Sequence, residues 1–173
     1  NDAAQWQDFY RVNFGTDPLS WMNLNQVRFF GERTKLDTLE IERLVSVGKF
    51  APVRSPNVTF EPSEVPPDIE NARSGSVYIN ANRHPGVSIV DRSSNIFNRL
   101  SINPGQPLGR DALNRMNRKV RLDNWMQLPS EQVDAVLAAA MRAEARGNPA
   151  LAGQWLITDN VVHALGLFQL LKE

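Results

Sequence analysis

The chain has 173 residues, 42% hydrophobic and 22% charged, the proportions of an ordinary globular domain that buries one core. Nineteen basic and nineteen acidic residues cancel, so net charge predicts no polyanionic partner, and the absence of cysteine excludes disulfides and thiol chemistry. No apolar run nears the roughly 20 residues needed to cross a bilayer, and the N-terminal NDAAQWQDFYR holds no apolar signal-peptide core.

In chain order, residues 16–33 open with a helix-start signal: Asp17 can cap, and Pro18 suits a first helical position, where its missing N–H costs nothing. Trp21, Leu24, Val27 and Phe30 follow at helical spacing. The next helix is better marked. In LDTLEIERLVSVG, Asp37 and Glu40 stand three apart as a capping box, Leu36 and Ile41 as a hydrophobic staple, and Gly48 as a stop. Residues 49–75 then hold five prolines, several acids and little periodicity, which predicts an irregular surface loop.

From residue 76 the pattern turns to strands. Val77 and Ile79 alternate, His84-Pro85-Gly86 punctuates, Val87 and Ile89 form a second run, and 96–102 offers a third, which predicts a small antiparallel sheet. After a Pro/Gly-rich break, GRDALNRMNRKVRL predicts a short basic helix with Leu113, Met116 and Val120 on one side. Ser130 then caps a helix whose stripe is Val133, Val136, Leu137, Ala140 and Met141, ending at Gly147. A last helix follows Thr158 or Asp159. The expected architecture is a single α+β domain over 1–173, a mostly helical cluster with a small antiparallel β segment and a long Pro-rich surface loop.

No catalytic group stands out. Two histidines and no cysteine make no zinc site, and the phosphate-binding, dinucleotide-binding and nucleophile-elbow motifs are missing. No catalytic residues, metal site or cofactor are therefore expected, and the chain reads as non-enzymatic. An enzyme built on carboxylates stays open, and a buried acid-lined pocket would mark it. Charge distribution says more. Residues 73–121 hold nine basic side chains against Asp91 and Asp111, with arginine, suited to forked contacts with phosphate or carboxylate, in the majority. Either these cations gather into a face for an anionic partner, or they pair with the acidic segment 32–70 and decorate an ordinary surface.

Four stretches carry a likeness to a known family: VRFFGERTKLDTLEIERLVSVGKFAP, the following APVRSPN, INANRHPGVSIVDRSSNIFN and VDAVLAAAMRAEARGNPAL. In this order they resemble the C-terminal host-adaptation domain of the orthomyxovirus polymerase basic protein 2 subunit. The resemblance implies a fragment of a larger polymerase subunit. It would be a non-catalytic module of a viral RNA-dependent RNA polymerase, found in the host nucleus and the virion. Implied partners are the viral polymerase subunits, RNA and an acidic host nuclear phosphoprotein, with no membrane. The family's host-range position falls near Arg54, and the basic face would comprise Arg54, Arg73, Arg83, Arg92, Arg99, Arg115, Arg118 and Lys119. The alternative is a self-assembling structural or coat protein of a virus, its apolar tail VVHALGLFQLL packing against copies of itself.

Overall fold

The computed structural model of the chain describes residues 2–17, 19–45, 76–81, 87, 89–90 and 98–172. Helices dominate them. In chain order they are α1 (Asp2–Phe14), a 3-10 turn (Trp21–Asn25), α2 (Val27–Thr34), α3 (Thr38–Val45), α4 (Pro107–Met126), α5 (Ser130–Gly147) and α6 (Asp159–Lys172), with a second 3-10 turn at Pro149–Leu151. The predicted Pro-rich loop, with Arg54 in it, lies outside the described residues.

The capping box of α3 forms as expected, while the expected stop at Gly48 lies outside the described residues. The Asp37 carboxylate accepts the Glu40 N–H at 2.7 Å, and the Glu40 carboxylate accepts the Asp37 N–H at 2.7 Å. Two of the helix's otherwise unpaired N–H groups are thereby satisfied reciprocally, and Ile41, Leu44 and Val45 go into the core.

The helix expected over 16–33 is cut in two. Asp17 closes a turn and does not cap a helix. Its carboxylate accepts the N–H groups of Leu19 and Ser20 at 2.8 Å each, bonds that hold its pKa below the ordinary value, and the 3-10 turn begins only at Trp21 with Ser20 as its N-cap. At Gln26, however, the backbone swings to an extended conformation, φ −79° and ψ 125°. There Gln26 makes a β-bridge with Arg99, and the Val27 N–H donates to the Asn98 carbonyl at 3.0 Å. A long-range contact has overridden a continuous helical pattern. Helix α1 had no expectation attached to it, yet its aromatics Trp6, Phe9, Tyr10 and Phe14 recur at helical spacing. They build an aromatic cluster in which Tyr10 stacks on Trp21 at 5.1 Å and its hydroxyl donates to the Pro104 carbonyl. Burial there pushes the Tyr10 phenol well above its usual range.

Among the described residues the expected sheet is one antiparallel pair, β1 (Ile89–Val90) with β2 (Arg99–Leu100), in the register Ile89 to Leu100 and Val90 to Arg99. Val77 and Ile79 are not in a strand. Residues 76–80 form a helical turn, the Asn80 N–H donating to the Ser76 carbonyl at 3.0 Å, and Val77, Tyr78 and Ile79 are all buried. The alternation failed because no face of this turn is solvated.

Helix α4 is longer than expected, 20 residues, and runs through the centre of the molecule with Ala112, Leu113, Met116 and Met126 fully buried. Its start is fitted against residue 103: a Cβ on Gly109 would lie 1.8 Å from the Asn103 carbonyl oxygen, so only glycine permits this approach.

Candidate functional site

Buried polar chemistry is concentrated where α4 meets its neighbours. Arg115 and Lys119 stand four residues apart on one face of α4, so the helix turns both inward. The Arg115 guanidinium pairs with Asp111 at 3.0 Å and donates to the carbonyls of Tyr78 at 3.2 Å and Trp155 at 2.8 Å. It also lies over the Tyr78 ring, 5.0 Å from its centroid. One cation thus ties the 76–80 turn, α4 and the segment leading to α6 together. Trp155 adopts a left-handed φ of 49°, uncommon for a bulky side chain, and the Arg115 bond to its carbonyl helps hold it there.

Lys119 is wholly buried. Its ammonium donates to the Asp123 carboxylate at 2.5 Å, the Ser130 carbonyl at 2.9 Å and the Ser130 hydroxyl at 2.8 Å, while that hydroxyl donates to the other Asp123 oxygen at 2.8 Å. Burial raises the Asp123 pKa, and the facing Lys119 charge opposes that rise. Ser130 therefore makes no cap bond. It is the first residue of α5, after Pro129, and its side chain serves the Lys119 centre. A third buried polar group, Asp134 on α5, accepts the Ser76 hydroxyl and the N–H of Val77 at 2.8 Å, capping the 76–80 turn from another element.

A cleft of ≈ 210 Å³ opens beside the Lys119 centre, with Glu40, Asp123 and Glu131 among its lining residues. It is lined by acids but open, with Glu40 exposed, so it is not the buried pocket that would mark a carboxylate enzyme, and two of the acids are already committed. Glu40 caps α3 and Asp123 holds Lys119 and Ser130. All three ammonium hydrogens have acceptors, and the Ser130 hydroxyl gives its proton to Asp123 while its oxygen accepts from Lys119, so these groups are engaged with one another in joining α4 to α5. Among the described residues, no three His, Asp or Glu side chains gather as a metal set.

Of the residues expected to form a basic face, the four described ones do not share one exposed side. Arg115 and Lys119 are inside, a correction with a simple cause: each has an acid one helical turn away and carbonyls within reach. Arg118 is exposed on another side of α4, where it lines a shallow groove of ≈ 410 Å³ with Arg121, Leu122, Trp125 and Ile157. Arg99 is exposed on β2. Arg54, Arg73, Arg83 and Arg92 lie outside the described residues. The Lys119 centre was legible in principle, since Asp111/Arg115 and Lys119/Asp123 are both i,i+4 pairs. Counting charge only as far as residue 121 left out Asp123.

No protein-family model and no solved structure matches the chain. It is 33% identical over 172 residues to Toxin subunit YenA1 of Yersinia entomophaga, an alignment that covers 93% of this chain. This match overturns the orthomyxovirus likeness, and with it the viral polymerase function, the RNA and host-phosphoprotein partners, the nuclear and virion location, and the viral coat alternative. Of the four short stretches that suggested a viral polymerase, the first holds a capping box and the last an amphipathic helix, patterns that local folding physics produces in unrelated chains. The chain spans 13% of the length of the toxin subunit it matches.

Proposed function

We propose that this chain is a non-catalytic structural segment of a longer toxin subunit, contributing to the build of that subunit rather than to a reaction. The observation that carries the reading is the nearly end-to-end alignment, 33% identical over 93% of the chain, with one part of Toxin subunit YenA1. The use made of its polar groups supports it. Arg115, Lys119, Asp123, Ser130 and Asp134 all bind other parts of the same domain. Such groups make a rigid body that keeps its shape inside a large assembly.

Exchange of the matching segment of YenA1 for these 173 residues tests the reading. The chimera is expected to fold, assemble and remain toxic, and Ser130→Ala in it is expected to leave toxicity unchanged once folding is verified. A chimera that folds to native mass but loses toxicity would show that the segment does not share that subunit's role. Loss confined to the folded Ser130→Ala chimera would return the acid-lined cleft to the status of an active site.

A further inference from the structure

We draw no further inference here: the strongest candidate, the shallow groove that Arg118, Arg121, Leu122, Trp125 and Ile157 line on the outer side of α4, is, like the exposed apolar side of α6, a surface for which nothing in the structure shows what covers it.

Discussion

Two sides of helix α4 carry the same kind of side chain and treat it in opposite ways. Arg115 and Lys119 point into the domain and are held by acids and carbonyls, whereas Arg118 and Arg121 stay at the surface beside an open groove. Along the sequence these cations form one basic run. On a helix each residue advances by about 100°, so Arg115 and Lys119 stand about 40° apart while Arg118 and Arg121 fall about 60° and 120° from Arg115 in the opposite direction, and the run is divided between inside and outside. A buried cation with every donor satisfied joins elements together, while an exposed one contributes little to stability.

Breaking that contrast gives graded outcomes. The largest effect should come from the helix that carries both sides: Gly109→Ala forces a Cβ onto the Asn103 carbonyl, and since the obstacle is backbone, thermal melting should show a loss of about 3 kcal/mol or more. Next is Lys119→Met, which leaves Asp123 facing a buried gap and should cost about 3 kcal/mol in urea unfolding. Arg118→Met, its counterpart on the exposed side, should change stability by less than about 0.5 kcal/mol. Equal costs for the two would mean that burial does not distinguish them.

Asp134→Asn keeps shape but weakens the bonds that fix the 76–80 turn, and a loss of about 1–3 kcal/mol is expected, with faster hydrogen exchange at Val77 and Tyr78 as its local sign. Glu40→Ala removes half of the α3 capping box and should cost about 1 kcal/mol. The smallest effect is a pH dependence. Asp17 has its pKa lowered by the Leu19 and Ser20 N–H groups, so its contribution is complete above the unfolded carboxyl range and fades as pH falls through the folded value. Asp17→Asn should flatten the acid limb of the stability curve slightly, and a steeper acid limb would contradict the assignment.

The α3 capping box, the apolar stripes of α4 and α5 and the Thr158 cap of α6 were all readable because each rests on residues a turn apart. The misreadings share the opposite property. Gln26 left its helix for a partner at residue 99, and the alternating Val77 and Ile79 curled into a turn under a carboxylate 57 positions downstream of Val77. Arg115 and Lys119 left the expected basic face for the same reason, since the helix around them was foreseen but its orientation was not.

By itself, then, the sequence determined the described helices from α3 onward and the lack of familiar catalytic motifs, because helix capping and periodicity are decided within a few residues of the chain. Only the tertiary structure decided which cations are buried, where the strand pair forms and which side of α6 is left uncovered. Those outcomes depend on how the elements pack against one another, as the Arg115 bond to Trp155, 40 positions away, shows, and no local pattern specifies such a meeting.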